Sequence, residues 1–236
     1  MFSRRFRHIV SVLFPIVFVS LISGCAAPPR QPLTGLIPGK EVETLQSAVS
    51  ISIRTPDRSM GARGFLLFKR PDRFHLAVLS PFGPTLADIY SDGERFTCVI
   101  PSRQTAYSGL IAELPDREGL RAWAMMRWVV EKTPVAGPAV VRENVNGAGV
   151  RERLYYDDLG LLERKETVAG DRVAYRDYRN VDGVAFPGSI ELTDSHSDMV
   201  TVLFEEPEVN KPVEETALTP RLEGVAVLPF SEFHGF

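Results

Sequence analysis

Cysteine, tryptophan and histidine are scarce in this chain of 236 residues, which holds two, two and four of them. Two cysteines are too few for a disulfide scaffold. The histidines, His8, His75, His196 and His234, stand far apart without ligand spacing, and no Cys/His/carboxylate cluster accompanies them, so no metal and no cofactor are expected. Catalytic signatures are missing as well: no G-x-S-x-G elbow, no H-E-x-x-H, and no glycine-rich loop between a strand and a helix. The adjacent acids Asp157 and Asp158 have the form of turn chemistry rather than an acid–base pair. Nothing in the sequence argues for an enzyme; one acting on envelope lipids or glycans would need a polar cleft that the sequence does not show. An excess of positive charge is absent too, with 27 Lys+Arg against 30 Asp+Glu. Phosphate neutralisation requires such an excess, so nucleic acid is not an expected partner.

The beginning of the chain departs from this average. Arg4, Arg5 and Arg7 precede a stretch, 9–22, that is apolar except for Ser11, Pro15 and Ser20. A basic start, an apolar run too short for a comfortable bilayer span and small residues after it are the pattern of a secretory signal; a signal anchor retained in the membrane is the alternative. The run Leu21-Ile22-Ser23-Gly24-Cys25 resembles the bacterial lipobox. That resemblance implies cleavage before Cys25 and acylation of this residue, and Ala26 in the next position, rather than Asp, implies sorting to the outer membrane. Acyl chains on Cys25 would tie the protein to the membrane at its periplasmic face, since two chains already anchor stably. Loss of residues 1–24 removes three basic residues and leaves 24 basic against 30 acidic, a net charge of −6. Cys98 is then the only thiol free to pair, and its apolar run Phe96-Thr97-Cys98-Val99-Ile100 marks it as buried and inert.

Residues 26–39, AAPPRQPLTGLIPG, are dense in Pro and Gly and form the expected tether. Short runs rich in Val, Ile, Phe and Tyr follow: 48–55, 62–69, 73–80, 85–91, 95–100, 140–144, 150–157, 161–168, 172–181, 184–193 and 199–205. Tight Asp/Gly turns separate them and join antiparallel neighbours. The expected fold is mainly β, an antiparallel barrel or half-barrel. The segment 118–132, EGLRAWAMMRWVVEK, reads as a helix apolar nearly all round, and in a one-sheet protein it would serve as a lid or plug. A shorter helix is expected at 110–114. The tail 207–236 carries four prolines and an apolar end, LPFSEFHGF, which is either docked or a partner motif.

The stretch 73–109 resembles the LolA/LolB lipoprotein-localisation superfamily, and the outer-membrane lipoprotein receptors of the LolB type most of all. A strand leads into Ser80-Pro81-Phe82-Gly83-Pro84-Thr85, where that family has an Asn-Pro-Leu-Gly-like loop, and two further strands follow. Pro187-Gly188-Ser189-Ile190-Glu191-Leu192-Thr193-Asp194 resembles its closing strand segment, and the 118–132 helix falls where the family has one with a Leu-Arg-x-Trp core. The resemblance covers about 45–205. It implies an unclosed antiparallel barrel with a helical lid over an apolar cavity for acyl chains. The cavity would be lined by Phe65, Leu67, Leu76, Val78, Ile89, Phe96, Trp123 and Met126. It also implies a protruding loop, Pro81, Phe82 and Gly83, that pushes lipoproteins into the outer membrane, with a periplasmic LolA-like carrier and lipoprotein acyl chains as partners. An ordinary turn with Phe82 folded onto the core is the alternative at that loop. The chain thus divides into a signal (1–24), a lipidated Cys25 with its tether (25–44), a LolB-like domain (45–206) and an extension (207–236). A structural or assembly lipoprotein, using the same fold to bind a protein partner, is the rival function.

Overall fold

The computed structural model describes residues 32–57, 59–114, 140–145, 150–195 and 197–233. The expected signal, Cys25 and the 118–132 helix with Trp123 and Met126 lie outside the described residues. Fifteen strands form within them: β1 (Thr44–Arg54), β2 (Ser59–Lys69), β3 (Arg73–Leu79), β4 (Thr85–Ser91), β5 (Arg95–Ile100), β6 (Thr105–Leu110), β7 (Val140–Val145), β8 (Arg151–Tyr156), β9 (Leu162–Thr167), β10 (Arg172–Arg176), β11 (Arg179–Val181), β12 (Val184–Phe186), β13 (Ser189–Thr193), β14 (Met199–Val209) and β15 (Ala226–Leu228).

Their turns use the chemistry written in the sequence. Asp92 Oδ1 accepts the amides of Glu94 and Arg95, and Asp157 Oδ1 those of Leu159 and Leu161. Asp182 and Gly183, both at positive φ, join β11 to β12 as a two-residue hairpin loop. Thirteen strands assemble into one sheet in the order β15-β6-β5-β4-β3-β2-β1-β14-β13-β10-β9-β8-β7, and β11 pairs with β12 separately. Among the described residues the two edges, β15 and β7, do not pair, so the sheet is open rather than a closed barrel. All its ladders are antiparallel except β15 on β6.

One face of the sheet carries the core. Leu45, Val49 and Ile51 of β1, Leu66 and Phe68 of β2, Phe74 and Leu76 of β3, and Val200, Val202 and Phe204 of β14 all lie in one buried cluster. The alternation that puts them there is the period of two of a pleated strand. Twisted sheets this wide curl, and burial of one face from β5 to β9 accords with a curved sheet. Gly64 is required by close approach: a Cβ there would stand 2.5 Å from the carbonyl oxygen of Ala77 on β3.

Several elements differ from expectation. The run 172–181 breaks at Asp177, which adopts φ 55°, into β10 and β11; 184–193 breaks at Pro187-Gly188 into β12 and β13. The expected helix at 110–114 is a strand end followed by a single 3-10 turn, Ile111–Glu113. Strand β6, Thr105–Leu110, forms in a sequence of mixed polarity outside the expected strand runs. The near end of the expected tether is held: Asn180 Nδ2 donates to Thr34 O at 2.7 Å, Ile37 N to Gly183 O at 2.8 Å and Lys40 Nζ to Asp182 O at 2.5 Å. Asn210, at φ 59°, accepts the Glu43 amide and donates to Glu41 O, closing the junction before β1.

The tail is docked along its described length. Thr44 and Gln46 donate to the carbonyls of Lys211 and Pro212, and Glu215 makes ion pairs with Lys69 and Arg73 on the face opposite the core. The tail then adds β15 to the free side of β6, and beyond Pro229 it turns Phe230 and Phe233 onto the core face. In strand terms the chain wraps an edge that would otherwise present unpaired backbone groups.

Candidate functional site

The loop between β3 and β4 is a pinned structure. Ser80 N donates to Pro84 O at 2.8 Å, Gly83 N to Ser80 O at 3.0 Å and Phe82 N to Ser80 Oγ at 3.3 Å. Gly83 takes φ 101°, a conformation costly for any residue with a Cβ, and the prolines on either side of Phe82-Gly83 prevent the ladder from continuing. The turn therefore leaves Phe82 at its tip, 93% exposed.

An apolar cavity of about 660 Å³ opens beside this loop, lined chiefly by Ile51, Ile53, Met60, Val78, Leu86 and Ile89. Pro81 and Gly83 border it, as do Ser80 and Arg63, so the loop forms part of its wall. Exposed apolar surface at Met60 and Leu86 continues outward from it.

The family described as "Outer membrane lipoprotein LolB" matches residues 44–206. The chain belongs to the LolB family. No curated protein gives a significant match. Among solved structures, a LolA superfamily protein from Nitrosomonas europaea aligns with 13% identity and a TM-score of 0.50, over 78% of this chain and 92% of that one. A domain from Vibrio parahaemolyticus, provisionally named an outer membrane lipoprotein-sorting protein, aligns with 9% identity and a TM-score of 0.55, over 75% and 89%. A DUF1329 family protein from Desulfovibrio piger aligns with 10% identity and a TM-score of 0.52, over 75% and 92%. At these identities the likeness is one of fold.

Within this LolB-family domain the residues expected around the cavity separate into three groups. Val78 and Ile89 line it. Leu76 and Phe96 face the same side but are packed in the core, Phe96 being covered by the Phe230 ring at 5.6 Å, and neither is among the residues that line this cavity. Phe65 and Leu67 point to the opposite face: β2 buries Gly64, Leu66 and Phe68, which leaves Phe65 44% exposed. The run Phe65-Leu66-Leu67-Phe68 is apolar on both faces, and only pairing with the alternating strands β1 and β3 sets its register. Ile51, Ile53, Met60 and Leu86, which are not among the residues singled out from sequence, also line the cavity. The first two were accessible through the alternation Val49, Ile51, Ile53.

Three polar features accompany the site. On the outer face His75 Nε2 lies 2.8 Å from Asp88 Oδ1, and the imidazole stacks on Tyr90 at 4.1 Å. Burial, with Asp88 adding to it and Arg221 opposing, pushes the Tyr90 hydroxyl up to about 12. On the inner face Cys98 is buried and free, and burial followed by the Asp88 charge raises its thiol to about 12, far from thiolate chemistry at neutral pH. Farther along the sheet, Lys165 and Glu152 form a 3.1 Å ion pair with side-chain exposures of 5% and 0%. Glu152 and Leu154 alternate on one strand, so the acid takes a core position that the hydrophobic pattern alone assigns to an apolar residue.

Proposed function

We propose that this chain is a lipoprotein-binding module held at the periplasmic face of the outer membrane by lipid on Cys25. It accepts acyl chains of lipoproteins from a soluble LolA-like carrier and assists their insertion into the bilayer. Membership of the LolB family supports the lipoprotein partner and the outer-membrane location. Among the described residues no helix is long and apolar enough to cross a membrane, which accords with attachment by lipid.

The observation that carries the reading is the junction of an exposed aromatic with an apolar cavity. Phe82 stands at the tip of a loop whose own Pro81 and Gly83 line that cavity. Each methylene withheld from water is worth about 0.8 kcal/mol, so a chain passing directly from cavity to bilayer exchanges one apolar environment for another at little net cost. The loop supplies the contact that spares the chain a passage through water. Phe82 itself gains about 1.5–3 kcal/mol on full burial, enough to seat the loop at the acyl boundary. No bond is made or broken in this cycle.

The test is Phe82→Glu in the full lipidated chain, assayed by transfer of a radiolabelled lipoprotein from carrier to outer-membrane vesicles. Transfer should fall by at least about tenfold, the factor that 1.4 kcal/mol represents, while the unfolding midpoint stays unchanged. Undiminished transfer would remove the loop from the mechanism.

A further inference from the structure

The tail beyond Glu206 lies outside the segment that matches the LolB family, yet its last described residues reach into the core. Phe233 is fully buried and Phe230 is 3% exposed. Phe230 meets Phe96 of β5 at 5.6 Å and Tyr107 of β6 at 6.4 Å; Phe233 stands edge-on to Tyr107 at 5.1 Å. Gly109 of β6, opposite Phe96, lies against the Phe230 ring, whose nearest atom is 3.4 Å from where a Cβ would stand, an ordinary packing contact. Among the described residues the apolar face of the sheet is therefore divided: at β5–β6 it is filled by two rings from the tail, and at β1–β4 it is open as the cavity of about 660 Å³.

The size of the open part sets a limit. A cavity of roughly 150 Å³ takes one benzene, so a carbon needs about 25 Å³. On that scale about 660 Å³ holds roughly 26 carbons, which is one long acyl chain with its ester but not the three chains of a mature lipoprotein.

Resting on the acyl-binding reading above, we propose that the C-terminal tail sets the capacity of the lipid site: Phe230 and Phe233 occupy the β5–β6 part of the apolar face, and the protein engages its lipid through a single acyl chain at β1–β4. The remaining chains and the polar head stay at the mouth, beside Arg63. The tail does this as a fixed wall. Its ion pairs at Glu215 and its strand on β6 carry it round the edge of the sheet and hold the rings in place.

The experiment is native mass spectrometry of the mature full chain, stripped of lipid and incubated with palmitate. The wild type should carry one palmitate, and Phe230→Ala/Phe233→Ala, which frees room for about twelve carbons, should carry an octanoate beside it. If the alanine pair does not fold, Phe230→Leu/Phe233→Leu, which frees room for about six, reads the same space with hexanoate as the second ligand. A wild type that binds two or more chains overturns the capacity role, as does a folded variant that stays at one. Failure of the acyl-binding reading has a different signature: no palmitate on any form, and no response to Val78→Phe, which narrows the cavity itself.

Discussion

The buried ion pair of β8 and β9 offers a prediction whose size follows from the coordinates. Lys165 lies opposite Leu154 and Val173 in the ladders, and Glu152 is its diagonal neighbour two residues from Leu154, so both charged heads sit on the apolar face. At 3.1 Å and an effective dielectric of about 20, the gross attraction is about 5 kcal/mol. Desolvation of two groups with almost no exposed area offsets most of that. Removal of one partner is another matter, because a side chain with almost no exposed area then loses the opposite charge 3.1 Å away. Lys165→Met should therefore cost about 3–5 kcal/mol, whereas Lys165→Met with Glu152→Leu should lie within about 1 kcal/mol of the wild type or above it. Urea unfolding followed by far-ultraviolet circular dichroism, at constant m-value, measures both. A single substitution costing less than about 1 kcal/mol would mean the pair behaves as a surface pair, and the inner-face placement of Glu152 would be refuted.

Other consequences can be checked directly. Gly64→Ala should destabilise by about 1–3 kcal/mol in a thermal melt, since the new methyl group meets the Ala77 carbonyl at 2.5 Å and backbone must shift. Cys98 and Tyr90 both have raised values in the folded chain, from 9.0 and 10.0 to about 12. In the unfolded chain they release protons first, so stability is intact below pH 9 and declines as pH rises from about 9 towards 12; denaturant midpoints at pH 7, 9 and 11 should show this, and Cys98→Val should flatten part of the slope. Dithionitrobenzoate should leave Cys98 unmodified in the native chain at pH 8 and label it on unfolding. Asn210→Ala removes bonds to Glu43 and Glu41 and a residue suited to positive φ. It should cost about 1–3 kcal/mol and speed proteolysis between 33 and 43.

Much of the architecture was legible because it is written locally. The Asp/Gly turns at 92–93, 157–160 and 182–183 place chain reversals by their own backbone preferences, and strands β4 and β5 occur at the residues where alternation puts them. Phe82 could be picked out for the same reason, its flanking prolines and glycine being incompatible with a strand. Where both faces of a segment are apolar, as in Phe65 to Phe68, sequence leaves two registers open. Inward and outward then differ by one residue, and the choice falls to the pairing partners β1 and β3.

The sequence by itself determined that this is a β-rich chain with short reversals, Cys98 in an apolar strand and a lipobox-like start, and it left Phe82 either displayed or folded onto the core, since each depends on neighbours within a few residues. Only the tertiary structure decided which side of β2 faces the core, that Leu76 and Phe96 are packed rather than open, that a charged pair sits on the apolar face, and that the tail returns as a strand on β6 with two rings in the core. The pair joins neighbouring strands, and the tail joins residues more than a hundred positions apart, Phe96 with Phe230 or Lys69 with Glu215. Their energy comes from area removed from water and from charge compensation, and it exists only when both sides of the contact are present.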